Sequence, residues 1–381
     1  MVKPSKVWRE ATPLEQLDRL LSTCPHIAPA VRRLTISCRL DGEWVAQPLA
    51  AKVIRRFTAL DSLVVNCHIH GDTSRTWESF HGDTMEALAR IVALPSIRSL
   101  TIRSTGLQAL LALIKPPSPT PHPLRVRHLV LRDTNFDREA DNFIMDDFPK
   151  LRLDSLECDP LHEPDGPFFE RIIDIPALKH VHFTFQYSVY DAYEAQELIL
   201  QHALDLEHLK ITLITFDDYN DVPLLALGHL HELHTLELDL KMEASSIYAG
   251  AHNVVLMLLE CIPLAGDKPP SIAHVIIGIS ALKRGSSDGH SRIVASLEEF
   301  LDQLVSHFPP WADHHFTPAL MVRLSFESDY GEDVEIGVKA AVRSKLGAFK
   351  GLEVGVELIR NTGNSNEEDE LVSYAQLPRR C

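Results

Sequence analysis

The segment Val31-Arg32-Arg33-Leu34-Thr35-Ile36-Ser37-Cys38 contains the pattern from which the fold of this chain can be predicted. An apolar residue is followed by two others, a second apolar residue, one other and a third apolar residue, and the alternation continues to Cys38. In an extended strand, successive side chains point to opposite sides. Leu34, Ile36 and Cys38 should therefore face a core, and the residues between them should face solvent.

The same pattern recurs along most of the chain. The clearest copies begin at Val31, Leu60, Ile97, Val126, Leu153, Leu178, Leu206 and Leu233, and weaker ones begin at Ile272, Met321 and Phe349. Neighbouring copies are mostly 25 to 29 residues apart, with three longer intervals. About eleven copies at this period are typical of a leucine-rich-repeat solenoid, because one repeat cannot bury its apolar face alone and must stack on its neighbours.

Segments between these strands have apolar residues at helical spacing, which predicts helices there. They are residues 84–92, 192–204, 253–262, 293–308 and 334–346. We expect an α/β fold: a single leucine-rich-repeat-like horseshoe with parallel strands on the concave face and helices on the convex face. A doubly wound sheet also alternates strands with helices, but the chain has no glycine-rich turn of the dinucleotide-binding type.

The pattern predicts three regions. Residues 1–26 should form an N-terminal helical cap, residues 27–360 an irregular solenoid of about eleven repeats, and residues 361–381 an acidic, disordered tail. The proline-rich residues 115–123 and the glycine- and serine-rich residues 280–291 interrupt the repeats, and we expect both to be surface loops.

Composition limits the partners and the compartment. Lys and Arg number 37 against 53 Asp and Glu, so the net charge of −16 repels a nucleic acid backbone. The six cysteines include no CxxC pair, and no apolar run has the length of a signal peptide or a membrane span. We expect a monomer of the cytosol or nucleus that binds neither nucleic acid nor membrane.

Residues that could support catalysis or metal binding lack the required spacing. The densest group among the 20 histidines is His229-Leu-His231-Glu-Leu-His234, whereas the zinc-protease motif needs two histidines four residues apart. Cys38 and Cys67 hold equivalent repeat positions, which favours core packing over a redox pair. No nucleophile elbow or Walker loop is present. We expect no catalytic residue, metal or cofactor; an enzyme with an unrecognised histidine-based site is the alternative.

A partner surface is predicted on the concave face, because repeat proteins bind their partners along exposed strand positions. The residue before the middle apolar position is a histidine in four repeats, and the residue three positions after it changes from basic in early repeats to acidic in later ones. We predict a protein-binding strip, with a plain solvated face as the alternative. Its residues are Arg103, His128, Arg132, His180, His182, His208 and Lys210.

Residues 14–24 and the following Pro25-His-Ile-Ala-Pro-Ala-Val-Arg-Arg-Leu34 resemble the start of the repeat region in mushroom-type (basidiomycete) fungal F-box proteins. In that family a phrase similar to P-H-I-A-P-x-V-R-R-L marks where the repeats begin. The resemblance is specific over residues 24–36 and generic over the rest of the chain.

The resemblance implies a protein-binding function. Members of the family carry an N-terminal F-box, which connects a bound substrate to a cullin-RING ubiquitin ligase. Only about a dozen residues precede Leu14, and they show no F-box phrase, so we expect the substrate-binding half without its adaptor half. A recognition module without catalytic activity is the leading prediction, and a ligase substrate receptor that contacts a ubiquitin-ligase adaptor by another route is the alternative.

Overall fold

A computed structural model gives the architecture of the chain. It describes residues 12–38, 44–67, 80–104, 107–115, 124–132, 150–159, 166–186, 193–214, 227, 229–243, 272–282, 298, 301–302, 319–327, 336–337, 340–341, 344–345 and 354–361. The chain divides into two compact units: unit 1 contains residues 1–183 and 191–206, and unit 2 contains residues 184–190 and 207–381.

Unit 1 alternates strands with helices. Its helices are α1 (Pro13–Thr23), α2 (Pro48–Ile54), α3 (Gly82–Val92), α4 (Leu107–Ile114), α5 (Gly166–Ile172) and α6 (Tyr193–His202), with short 3-10 turns at Ala28–Ala30 and Ile175–Ala177. Its strands are β1 (Arg33–Cys38), β2 (Ser62–Cys67), β3 (Ser99–Arg103), β4 (His128–Arg132) and β5 (Ser155–Cys158). Residues 180–183 of β6 (His180–Gln186) also belong to this unit. They pair in parallel and in chain order.

Unit 2 repeats the parallel arrangement with longer strands. They are β7 (His208–Ile214), β8 (Thr235–Glu243), β9 (His274–Leu282), β10 (Ala319–Glu327) and β11 (Val354–Asn361), and they also pair in chain order. The α/β class with parallel strands in chain order is thereby confirmed, while the horseshoe and the single solenoid over residues 27–360 stay predictions.

One backbone contact recurs where each strand of unit 1 begins. The carbonyl of Arg32 accepts hydrogen bonds from the N–H groups of Asp61 and Ser62, and the carbonyl of Asp61 accepts from Arg98 and Ser99 in the same way. Equivalent forked contacts follow at the carbonyls of Arg98, Arg127 and Asp154, all with N–O distances between 2.7 and 3.1 Å. The repeats therefore join through the same polar contact each time, which fixes the register of one strand on the next.

The core of unit 1 lies between the helices and the apolar face of the sheet. Leu100 and Ile102 on β3 are fully buried, as are Leu88 on α3 and Phe169 on α5. At the N-terminus, α1 begins with a capping box, in which Thr12 and Glu15 exchange side-chain-to-backbone hydrogen bonds. This helix falls within the predicted cap.

Several local predictions can now be scored. Thr35 and Ser37 are exposed and Ile36 is buried, as the alternation indicates. Helices were expected at 84–92 and 192–204, and α3 and α6 confirm them. The prediction missed α2, α4 and α5, each only seven or eight residues long, because so short a segment gives too few turns for a clear apolar period.

The predicted loop at residues 280–291 is wrong at its start, because β9 extends to Leu282. Small residues such as Ser280 and Ala281 are allowed in a strand that pairs on both sides, and their backbones pair with β8 and β10. The rest of that loop, the predicted helix at 253–262, residues 116–123 of the proline-rich loop and the tail beyond residue 361 lie outside the described residues.

The register of the last two strands also differs from the sequence alignment. That alignment placed the middle apolar position at Leu324 and Leu352, whereas Val275 of β9 pairs with Leu320, and Leu320 pairs with Val354. The shifts are even, so each residue keeps its side of the sheet. Long apolar alternation allows such slips because several positions fit the repeat pattern equally well.

Candidate functional site

The strands present one side to the core and a second side that carries most of the polar residues, which we call the polar face. On β3, Leu100 and Ile102 face the core, whereas Ser99, Thr101 and Arg103 lie on the polar face. Because the strands pair in register, equivalent positions form rows that run across the sheet, with neighbours about 4.8 Å apart. The polar face is thus a grid of side chains from successive repeats.

In unit 1 the rows place the predicted strip residues side by side. One row contains Ser62, Ser99, His128, Ser155 and His180; the next contains Val64, Thr101, Val130, Glu157 and His182; and the third contains Asn66, Arg103 and Arg132. His128 and His180 are exposed, whereas Arg103, Arg132 and His182 are half-buried.

The middle row is more buried than the sequence predicted. Glu157 is 8% exposed, and Thr101 and Val130 are 3% exposed, although all three occupy positions that the alternation assigned to solvent. Side chains of neighbouring strands lie close enough to cover one another at the centre of the sheet. The expectation of a solvated face therefore fails at its middle, whereas the two histidines of the outer row, His128 and His180, are exposed.

Glu157 is the centre of a charge cluster in unit 1. Both Nε and Nη2 of Arg132 donate hydrogen bonds to its Oε1, the first at 2.9 Å. The Nδ1 atom of His182, its register partner on β6, lies 3.7 Å from the same oxygen, which is the distance of an ion pair once the imidazole is protonated. The carboxylate of Glu157 thus connects three successive strands.

These neighbours keep the Glu157 carboxylate ionised. Burial by itself raises the pKa of Glu157, but the imidazole of His182 and the guanidinium of Arg132 outweigh that effect and lower the pKa to about 2. Arg132 and His182, which the sequence indicated as partner-binding residues, therefore have an internal carboxylate to contact.

Unit 2 contains a second charge cluster around Glu237 on β8. The Glu237 side chain is only 2% exposed. Its Oε1 lies 3.0 Å from Nη1 of Arg323 and 3.2 Å from Nζ of Lys210, and its Oε2 lies 3.5 Å from Nε2 of His208. Lys210 also contacts Oδ2 of Asp239 at 2.7 Å. Among the described residues, the cluster contains two carboxylates and two permanent cations, with an imidazole beside them.

A glycine makes room for this second cluster. Gly278 on β9 stands in register between Asp239 and Arg323, and Arg323 reaches Glu237 from two strands away. A Cβ atom at Gly278 would lie 1.9 Å from Oδ1 of Asp239. The carboxylate of Asp239 therefore occupies the space that any other residue at this position would need.

The cations also control the ionisation of Glu237. Burial raises its pKa, whereas His208, Lys210 and Arg323 together lower it below the ordinary glutamate range. His208 and Lys210 were predicted to contact a partner, and in the structure both contact Glu237. They belong to unit 2, and the other five predicted residues belong to unit 1.

His128 lies at the outer row of unit 1. Partial enclosure by neighbouring strands lowers its pKa, which the charge of Asp154 opposes and that of Arg127 reinforces. The lowered pKa favours the uncharged form of this imidazole.

Sequence reasoning missed Glu157 and Glu237. Both follow the middle apolar residue of their repeats, in Leu156-Glu157-Cys158 and Leu236-Glu237-Leu238. A signal was present: when repeats are aligned, Glu157 falls opposite His182, and Glu237 falls opposite Lys210. An acid opposite a base at a strand-centre position indicates a cross-strand pair.

Within the described ranges, no helix is long and apolar enough to cross a membrane. No group of three histidine, cysteine or acidic residues there could hold a metal ion. No protein-family model and no curated protein matches this chain.

Proposed function

We propose that this protein is a recognition module that binds another protein through the polar face of its parallel sheet, without a cofactor and without catalysis. The observation that supports it is the exposure of that face. Parallel sheets are ordinarily covered on both sides and apolar on both. Here His128 and His180, and at β1 Arg33, reach solvent from a face opposite the apolar core.

The regular backbone ladder supports the same proposal. The forked hydrogen bonds at Arg32, Asp61 and Arg98 fix the spacing of the strands, so the side chains of the outer row stand at positions set by the sheet. Binding to such a surface loses little backbone entropy, because its strands are already ordered by these hydrogen bonds.

Capture from a fungal lysate tests this function. The full chain serves as bait, and quantitative mass spectrometry compares it with a His128→Ala/His180→Ala variant of the polar face. The matched control is His26→Ala/His202→Ala, which removes two exposed histidines located elsewhere. We expect the polar-face variant to lose at least tenfold of one specific protein and the control to keep it. Equal capture by both variants would contradict a polar-face site.

A second candidate is a substrate receptor of a cullin-RING ubiquitin ligase. The segment Pro25–Leu34 favours it, since it resembles the start of the repeats in fungal F-box proteins, and it leads through the turn Ala28–Ala30 directly into β1. The same capture experiment distinguishes the candidates. Recovery of an adaptor and a cullin with the bait supports the receptor, whereas their absence beside a specifically captured protein favours a freestanding module.

A further inference from the structure

Two arginines stand next to each other on the polar face of unit 1. Arg103 on β3 is the register partner of Arg132 on β4. Ser104 follows Arg103 with a positive φ of 52°, and its N–H group donates a hydrogen bond of 2.9 Å to the carbonyl of Arg132. The strands therefore stay paired up to these residues, and the two cations are held opposite each other, an arrangement that is unfavourable unless anions compensate it.

Among the described residues, an anion compensates Arg132 but not Arg103. Arg132 donates two hydrogen bonds to Glu157. Arg103 has no ion pair with any carboxylate in the described part of the chain, and its Nε atom is buried without a hydrogen-bond acceptor there. A buried donor without an acceptor is rare in native proteins, and a bound water or ion that supplies the acceptor is one of its explanations.

The surroundings of Arg103 favour an anionic ligand over a neutral one. Its register partner on the other side is the uncharged Asn66. Within unit 1, Arg33 adds an exposed cation at the β1 edge of the same face. Although the whole chain carries a net charge of −16, Arg103 thus lies between an uncharged residue and a second cation in its row, and a guanidinium fork matches a carboxylate in both shape and charge.

We propose that Arg103 binds a carboxylate of an acidic segment, rich in Asp and Glu, in the partner protein. Ser99 and His128 lie at the other end of β3 and β4, about 13 Å away along the strand. An extended segment of about four residues therefore spans from a carboxylate on Arg103 to hydrogen bonds at that outer row. This inference rests on the proposed function, because it names the chemistry of the partner that the polar face takes.

Fluorescence polarisation with the full chain and a labelled hexaglutamate peptide tests the inference. The informative variant is Arg103→Gln, and the matched control is Arg98→Gln, which removes the same charge from an exposed residue just before the same strand. We expect hexaglutamate to bind, a hexaglutamine peptide not to bind, Arg103→Gln to weaken binding at least tenfold, and Arg98→Gln to weaken it less than twofold.

Three outcomes would overturn the inference. They are the absence of hexaglutamate binding, an equal loss in the two variants, and binding of a phosphoserine peptide without binding of hexaglutamate. The proposed function is judged separately by the histidine variants: polar-face capture that persists in the Arg103→Gln variant would leave the recognition module standing and remove only the acidic partner.

Discussion

Glu157 in unit 1 and Glu237 in unit 2 occupy the same position of their repeats, directly after the middle apolar residue, yet their surroundings differ. The Glu157 side chain is 10% exposed and has one permanent cation, Arg132, with His182 beside it. The Glu237 side chain is 2% exposed and has two permanent cations, Lys210 and Arg323, with His208 beside it. The deeper carboxylate has more cationic partners.

The difference shows how a repeat protein can accommodate a charge on a strand. A single repeat cannot neutralise its own buried acid, because side chains on one face of a strand are spaced along it and the nearest partners lie on adjacent strands. Glu157 takes its partners from the strands on either side. Glu237 takes His208 and Lys210 from β7 and Arg323 from β10, across Gly278. Each cluster therefore couples three or more repeats.

The largest losses of stability are expected when either of these glutamates is replaced by glutamine. Glu237→Gln keeps the size of the side chain but leaves Lys210 and Arg323 with less counter-charge, and removing one partner of a buried pair costs about 3–5 kcal/mol. We expect about 3 kcal/mol for Glu237→Gln. For Glu157→Gln we expect about 2 kcal/mol, because the Glu157 side chain is more exposed, at 10% against 2%, and has one permanent cation where Glu237 has two. Urea unfolding, with hydrogen exchange of β5 and β8, measures both.

A surface glutamate provides the control for these variants. Glu86 contacts Arg90 and Arg55 on the helical side, and its side chain is 37% exposed. Glu86→Gln should change the free energy of unfolding by less than about 0.5 kcal/mol. Equal losses at Glu86, Glu157 and Glu237 would show that burial does not set the strength of these pairs.

Gly278 tests the space that the second cluster needs. In Gly278→Ala the new Cβ would overlap the carboxylate of Asp239, which must then move from Lys210, and we expect a loss of about 2 kcal/mol. In an Asp239→Ala background the overlapping atoms are gone, so the same change should cost less than about 0.5 kcal/mol. Gly82→Ala, where nothing lies within 4 Å, is the control. A full loss in the Asp239→Ala background would contradict this explanation.

The strand framework could be predicted from the sequence, because the apolar pattern repeats and alternation is a local property. The start of β3 at Ser99 and the burial of Leu100 and Ile102 follow from it directly. The charge clusters could not be predicted from single repeats, since Glu157 depends on Arg132 and His182 in two other strands. Four of the seven predicted surface residues contact these buried acids, and these contacts were missed because they join different strands.

The dependence of the free energy of unfolding on acidic pH tests the role of Glu157. Its pKa is lowered in the folded protein from 4.5 to about 2, so its stabilising effect is complete above pH 4.5 and is lost as the pH falls toward 2. The difference in unfolding free energy between wild type and Glu157→Gln at pH 3 should be less than about half of that at pH 6. Urea unfolding at both pH values measures this difference. A difference that does not change with pH would contradict a lowered pKa of Glu157 in the folded protein.

The smallest effect on stability is expected at Arg103, and it separates the two neighbouring arginines. Arg132→Gln removes the permanent cation from Glu157 and should cost about 1–2 kcal/mol. Arg103 forms no ion pair with a carboxylate among the described residues, and it is the register partner of Arg132. Arg103→Gln therefore removes a repulsion between two cations and no ion pair. Its free energy of unfolding should stay within about 0.5 kcal/mol of wild type. Thermal and urea unfolding of the two variants check this directly. A loss at Arg103 as large as that at Arg132 would mean that Arg103 stabilises the fold itself, which would contradict its assignment to a carboxylate of the partner.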